Sequence, residues 1–312
     1  MKKKVKYYGK KSLKQRLISN RSVYIFLLPG FSFLLLFHYL PIGGIVLAFK
    51  EYKINMGIFK SPWVNPWYKN FVALMDDTQF VKAFFNTFRM GFGYILSSIP
   101  VAIIVALLLN ELRSNRYKKV LQVFYTFPNF LSWVAISGLL VSFFSTEGLV
   151  NGILGQMGIE KIGFLTSNGL IRPILYISNV WKGAGWSAII YLAAISGIDP
   201  ALYDAACIDG ANRFQCMRHI TWPGIKMTVV IVIVMAFGNI TNNGFDQILN
   251  MTNAVVRQSA EVLDTYIYTK AFQASANYGV ATAMGLTKSI INFAFLLTAN
   301  KIAKILNGEA IL

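Results

Sequence analysis

Charge is scarce in this chain of 312 residues, and it leans one way. Only 14% of residues are charged, against about a quarter in ordinary soluble domains. The chain has 13 acids against 30 lysines and arginines, with 2 cysteines and 2 histidines. Each shortage excludes something. Intramembrane enzyme chemistry needs paired carboxylates, a metal cluster or a nucleophile with its base, and Asp246 is the lone acid inside an apolar run. Cys207, Cys216 and His219 lack the spacing of a zinc site, so no metal is expected. Both cysteines fall in a segment read below as cytoplasmic, where structural disulfides are rare. There is no G-x-x-x-x-G-K-[ST] phosphate loop, no H-E-x-x-H and no G-x-S-x-G. The chain is expected to carry no cofactor and to catalyse no bond chemistry. If ATP drives it, another chain binds the nucleotide.

What is abundant is apolar surface: 55% of residues are hydrophobic and the mean hydropathy is +0.51. A soluble chain of this length could not bury so much. The expected class is an all-α, polytopic membrane protein. A span needs about 20 apolar residues, and six runs reach that length: 23–49, 90–109 with a helical lead-in from 81, 120–144, 174–195, 227–249 and 284–305. The apolar run from 23 is too long for the core of a cleaved signal peptide. Residues 1–22 are therefore expected to remain as a basic cytoplasmic segment. The first helix is 23–49, and 81–306 is a core of five further helices.

Basic residues set the orientation. Segments 1–22, 110–119 and 197–226 and the tail after 300 together hold 18 lysines and arginines, against 9 in the segments on the other side. The positive-inside rule places the first set, with both termini, in the cytoplasm. The net charge of +17 thus reads as topology and contact with anionic lipid. It does not read as nucleic-acid binding, because the basic residues flank apolar spans and form no aromatic-studded basic face.

The loop 197–226 has an odd composition for a connector. Asp199-Pro200 is a good helix start, because Asp caps and Pro fits the first helical position. Gly210 should end or bend that short helix. A second helical stretch should run from about Asn212 to Ile220, and Pro223 should break the chain before the fifth span. Small residues (Ala205, Ala206, Gly210, Ala211) would let another protein's backbone approach closely. An amphipathic helix lying on the membrane surface explains the composition equally well.

The spacing here resembles a known pattern. Asp204, Ala205 and Ala206, then Gly210 after three residues, then Ile220 and Pro223, match the cytoplasmic loop E-A-A, three residues, G, nine residues, I-x-L-P. That loop belongs to permease subunits of bacterial binding-protein-dependent ABC importers. Asp204 replaces Glu and Trp222 replaces Leu. The resemblance runs over nearly the whole chain and is strongest to the polysaccharide and oligosaccharide permeases, relatives of the maltose type. It is carried by Leu28-Pro-Gly30, Phe37-His-Tyr-Leu-Pro-Ile-Gly43, Ala48-Phe-Lys50, Asn70-Phe71, Asn86-Thr87 and Phe127-Pro-Asn-Phe-Leu-Ser-Trp133. Further along, Trp181-Lys-Gly-Ala-Gly-Trp186, Phe245-Asp-Gln-Ile248 and Glu261-Val-Leu-Asp-Thr265 also match.

The resemblance implies a type I ABC importer permease in the bacterial cytoplasmic membrane. It implies a second homologous permease subunit, two ATP-binding subunits that hold ATP and Mg, and an extracellular solute-binding protein delivering an oligosaccharide. Asp204, Ala205, Ala206, Asp209, Gly210, Ile220 and Pro223 would couple this chain to the ATPase. A neutral oligosaccharide is the first expectation, and an acidic one stays open. A permease of the same superfamily for a non-sugar solute is the alternative. A channel or scaffold would leave the loop spacing unexplained.

Sugar sites pair aromatic platforms with amide and carboxylate partners. The fifth helix is expected to present Asn239, Asn242, Asn243, Phe245 and Asp246 to the path, and the fourth Trp181, Lys182 and Trp186. Such polar groups at membrane depth are costly unless they face protein or a water-filled cavity. Interhelical hydrogen bonding, or for Lys182 snorkelling to the outer interface, serves equally well as an account. Trp63, Trp67 and Trp133 are read as an interfacial belt or core, and Arg89 and Lys288 as snorkelling anchors.

Overall fold

The computed structural model describes residues 19–112, 114–242, 244–272 and 277–307. These residues are helical apart from loops and one isolated bridge, Lys50 to Trp63. Five helices are long and apolar enough to cross a membrane. Among the described residues, Ile171–Ser196 makes a sixth candidate only when taken together with Pro200–Ile208, against which it is bent by 71°. The six expected runs thus fall on five spans and this sixth candidate, called the fourth crossing below, and three of them are built differently from the expectation.

The first crossing, Arg21–Phe49, stands off the rest. None of the residues of its opening helix, Arg21–Leu34, is buried. It passes through a π turn at Leu35–Tyr39 and tightens to a 3-10 helix at Gly43–Phe49. Only that last part meets the core, where Ala48 is fully buried. The second crossing is one helix of 33 residues, Thr78–Asn110. At 1.5 Å per residue it is about 50 Å long, well beyond the roughly 30 Å apolar slab, so its first turns project outside. Asp77 caps it by accepting from the amides of Gln79 and Phe80.

The run 120–144 is not one helix. Helix Asn115–Thr126 ends in a 3-10 turn at Phe127–Phe130, and a new helix, Trp133–Phe144, begins after it. Pro128 has no N–H to continue the ladder, and Ser132 caps the new start by accepting from the amide of Ala135 at 3.2 Å. The run 227–249 is interrupted too. Its helix ends at Gly238, and a separate short helix, Phe245–Met251, starts at Gly244, whose φ of 70° favours glycine. Pro223 does the reverse of what its type suggests. The chain runs from Arg213–Cys216 through a π turn, Met217–Thr221, into Trp222–Gly238 without a break. Pro223 sits in the first turn of that last helix, where a missing N–H costs little.

Small residues hold the spans together. Ala102, Ala106 and Ala188 are fully buried between the second and fourth crossings, beside Ile225 from the fifth. The tightest approach is at Gly185. A Cβ there would lie 2.0 Å from the carbonyl oxygen of Tyr125. Gly183, two residues away, meets nothing within 4 Å. Gly185→Ala should therefore destabilise the protein by about 1–3 kcal/mol or more, since a backbone atom cannot step aside. Gly183→Ala should be silent. Thermal unfolding of the two variants in lipid nanodiscs checks this, and equal midpoints would refute the close approach.

Candidate functional site

The two helix breaks meet at one place. Residues from the third crossing's break (Asn129, Leu131, Ser132, Trp133) line a groove of about 570 Å³ with Lys182, Asp246 and Asn250. Lys182 lies in the middle of Ile171–Ser196, far from either end. It does not snorkel. Its Nζ donates to the carbonyls of Asn129 at 2.7 Å and Leu131 at 2.6 Å, with Pro128 at 3.5 Å. It also sits 5.6 Å from the centre of the Trp133 ring. These are carbonyls that the 3-10 turn frees from a helical ladder. Lys182 thus satisfies backbone groups that would otherwise be orphaned at membrane depth.

The opposite wall is fixed by Gln247. It is fully buried, and its Nε2 donates to the carbonyl of Leu175 at 2.7 Å and to Ser178 Oγ at 2.9 Å. Its Oε1 accepts from the hydroxyl of Tyr94 at 2.8 Å. One amide therefore pins Phe245–Met251 to the second and fourth crossings. Asp246, its neighbour, is left exposed toward the groove, and Asn250 donates to the Asp246 carbonyl at 2.7 Å.

Of the expected path residues, the structure brings Lys182 and Asp246 to this groove. The other described ones lie elsewhere. Trp181 is half exposed. Trp186 meets Phe130 edge-on at 5.9 Å and lines a separate cavity of about 280 Å³. Asn239 and Asn242 are not on a helix; they lie in the turn after Gly238, where Asn239 donates back to the Met235 carbonyl and Asn242 donates to Asn239. Phe245 packs edge-on against Tyr268. Asn243 lies outside the described residues.

The loop 197–226 forms a second site. Asp199 caps helix Pro200–Ile208 by accepting from the amide of Ala201 at 2.9 Å. The helix ends in a Schellman arrangement: Ala211 N–H donates to the Ala206 carbonyl and Gly210 N–H to that of Cys207. Gly210, at φ 78°, supplies the left-handed turn. Asn212 and Gln215 then form a reciprocal capping box that starts the next helix. The Tyr203 and Thr221 hydroxyls share a 2.9 Å hydrogen bond that staples the two helices. This well-braced turn presents apolar side chains outward: Ile208 is 87% exposed and Phe214 68%. Asp204, Ala205, Asp209 and Gly210 are exposed, Ala206 and Ile220 partly so.

With both sites described, comparison with known proteins is direct. Residues 80–306 match the family described as binding-protein-dependent transport system inner membrane component. The chain belongs to that family. It is an ABC transporter permease, a multi-pass transport component and not an enzyme. YteP of Bacillus subtilis (strain 168), a polygalacturonan/rhamnogalacturonan transport system permease, is 37% identical over 97% of this chain and 94% of its own. Protein LplB of the same organism is 36% identical over 93% of this chain and 90% of its own. A bacterial ABC transporter that imports the acidic polysaccharide alginate contains a chain with TM-score 0.86 and 35% identity. The match covers 95% of this chain and 99% of that one. A chain of a bacterial alginate ABC transporter in complex with an alginate pentasaccharide-bound periplasmic protein also matches, at 34% identity and TM-score 0.86.

Several polar residues of the permease escaped sequence reasoning because a single chain position carries no partner information. Arg172 donates to the Ser259 carbonyl and to Asn86, whose own amide donates to the carbonyls of Gln258 and Glu261. That chain of bonds anchors the segment after Phe245–Met251. Lys288, read as a snorkelling anchor, instead pairs with Asp264. At the N-cap of the second crossing, burial would raise the Asp77 carboxyl. The Tyr266 hydroxyl at 2.5 Å, the amides of Phe80 and Gln79 and the Lys270 charge outweigh that and hold it below its usual value. Asn86 and Glu261 stand among the quoted resemblance residues, but no local pattern ties either of them to Arg172, 86 residues from Asn86.

Proposed function

We propose that this chain is one permease subunit of an ATP-driven importer of a complex oligosaccharide. It pairs with a second homologous permease, receives substrate from an extracellular binding protein, and docks through residues 199–223 onto one of two ATPase subunits, which hold ATP and Mg. Both termini lie in the cytoplasm. The observation that carries the reading is the groove where two broken spans meet at mid-helix depth. Discontinuous helices at that depth are how transporters offer polar groups to a solute without exposing backbone to lipid. Lys182 and Asp246 place one charge of each sign there, with Asn129, Ser132 and Asn250 as neutral partners. An acidic oligosaccharide is the substrate class favoured by the likeness to the alginate importer.

In this scheme, closure of the ATPase pair moves helix Pro200–Ile208 as a rigid lever. The Tyr203–Thr221 staple and the unbroken helix Trp222–Gly238 pass that motion to the groove wall. The test is ATP hydrolysis by the co-expressed complex in nanodiscs, with its binding protein and a panel of acidic and neutral oligosaccharides. Stimulation by acidic glycans is the expected result. Stimulation by a non-sugar solute alone would replace the substrate class, and failure of any ATPase to co-purify would reopen the importer reading.

A further inference from the structure

The loop after the first crossing holds its apolar side chains outward. Phe59 is 94% exposed and Ile54 76%, and Trp63 and Trp67 are mostly exposed as well. The backbone beneath them is firmly braced. The Glu51 amide donates to the Pro62 carbonyl at 2.9 Å and the Val64 amide to that of Phe49 at 3.0 Å, which closes a hairpin around the short helix Gly57–Lys60. Lys50 is buried, and its Nζ donates to the carbonyls of Ile58 at 2.8 Å and Phe59 at 2.9 Å. Ser61, also buried, accepts from the Lys53 amide at 3.0 Å and donates to the Gly57 carbonyl at 2.6 Å. The Trp63 ring lies over the Lys50 ammonium, 4.9 Å from ring centre to Nζ. A buried ammonium thus fixes the backbone of a phenylalanine whose ring this chain leaves uncovered. Clustered exposed apolar groups of this kind mark contact with a membrane or another protein.

We infer that residues 50–69 form a lipid anchor, which seats Ile54 and Phe59 at the apolar boundary of the bilayer and sets its lysines against headgroup phosphates. Two observations select lipid over protein. The first is level. The hairpin begins at Lys50, directly after the first crossing ends at Phe49. Trp63 is bridged to Lys50, and Trp67 packs on Phe49 with ring centres 6.2 Å apart. Both indoles therefore sit where the span leaves the apolar slab, the depth at which tryptophan collects in membrane proteins. The second is charge. Lys53, Lys60 and Lys69 are exposed around the apolar residues, and Glu51 is the only acid from 50 to 69. Apolar and aromatic groups flanked by cations are the composition of segments that lie in the headgroup layer. The anchor also serves the first crossing, whose opening helix buries no residue against this chain. Lipid contact at the hairpin would fix the level of that crossing's far end. The Asn70 amide, donating to the carbonyls of Ala48 at 2.9 Å and Lys50 at 3.3 Å, ties the anchor to the core.

The anchor rests on the first crossing being a span and not on the substrate or the ATPase, so its test is separate from theirs. With Cys207 and Cys216 replaced by serine, a nitroxide is attached at Phe59→Cys, at Ile54→Cys and, for reference, at Phe26→Cys inside the first crossing. The full chain, with the subunits that co-purify, is placed in nanodiscs containing anionic phospholipid, and power-saturation EPR reads collisions with oxygen and with a water-soluble nickel chelate. Labels at 54 and 59 should collide severalfold more with oxygen, as befits side chains about 5–10 Å into the headgroup boundary. Combining Lys53→Glu with Lys60→Glu should reduce that preference. Collision mainly with nickel would overturn the anchor in favour of a docking face for a soluble protein. Collision with neither would overturn it too, by showing the loop covered by another membrane subunit. An unchanged preference in the double glutamate variant would overturn the contact between lysines and headgroups. A Phe26 label that favours nickel would overturn the span on which the anchor rests.

Discussion

Gly210→Arg is expected to leave the complex assembled and to abolish the rise in ATP hydrolysis that glycan-loaded binding protein evokes. Two effects are mixed in this substitution and can be separated. Gly210 has φ 78°, so any L side chain strains the backbone there by about 1–2 kcal/mol. Asn tolerates that conformation, so Gly210→Asn should couple nearly normally. The second effect is steric. A Cβ at 210 meets nothing of this chain within 4 Å. The arginine side chain therefore starts out in open space, and any loss of coupling beyond strain is expected to come from its clash with the ATPase. If the turn docks into the ATPase, bulk and charge at its centre should cost about 2–4 kcal/mol of interface energy, roughly 30- to 1000-fold in coupling. The comparison to make is stimulated hydrolysis of the Arg and Asn variants at equal assembly. Normal coupling by the arginine variant would show that the ATPase docks elsewhere.

Lys182→Met should both destabilise the permease and stop import. The ammonium satisfies the carbonyls of Asn129 and Leu131 at short distances. Methionine matches its length and leaves both orphaned. Each unsatisfied buried acceptor costs about 1–3 kcal/mol, so the total is about 2–6 kcal/mol. The unfolding midpoint in nanodiscs should drop by about 5 °C or more. Lys182→Arg should keep the fold, because a guanidinium can still donate to two carbonyls. The same residue lines the groove opposite Asp246, which makes a second readout informative. Asp246 is exposed and its carboxylate holds up no backbone. Asp246→Asn should therefore leave the midpoint alone while it slows import. A stable Lys182→Met variant with lost import would mean that Lys182 acts on the solute alone.

These two residues also show how much of each site was legible in the sequence. The docking turn was nearly all local. A cap at Asp199, a left-handed turn at Gly210 and a box from Asn212 to Gln215 are interactions over two to five residues, and such bonds are encoded by the residues that make them. The Pro223 expectation failed because the cost of proline depends on its register within a helix, and here it falls in a first turn. The groove was legible only in part. Lys182 and Asp246 were singled out because charge at membrane depth is expensive, which is a property of composition. Trp181 and Phe245 were singled out as aromatic platforms and Asn239 and Asn242 as amide partners, and none of the four lines the groove.

By itself the sequence determined the class and where the apolar runs lie, because every span needs an apolar stretch of about bilayer thickness and a soluble fold offers no place for this much apolar surface. It determined the docking turn for the local reason just given. Only the tertiary structure decided where two spans break, which carbonyls the breaks set free, and that Lys182, 51 residues from Leu131, reaches them. It alone decided that Gln247 is used for bracing while Asp246 is left facing the groove, and that the Tyr191 hydroxyl is buried with no partner among the described residues. The physical reason is that a polar group in a membrane must find a partner, and the partner comes from whichever helix the packing brings alongside, at a sequence distance that no local pattern records.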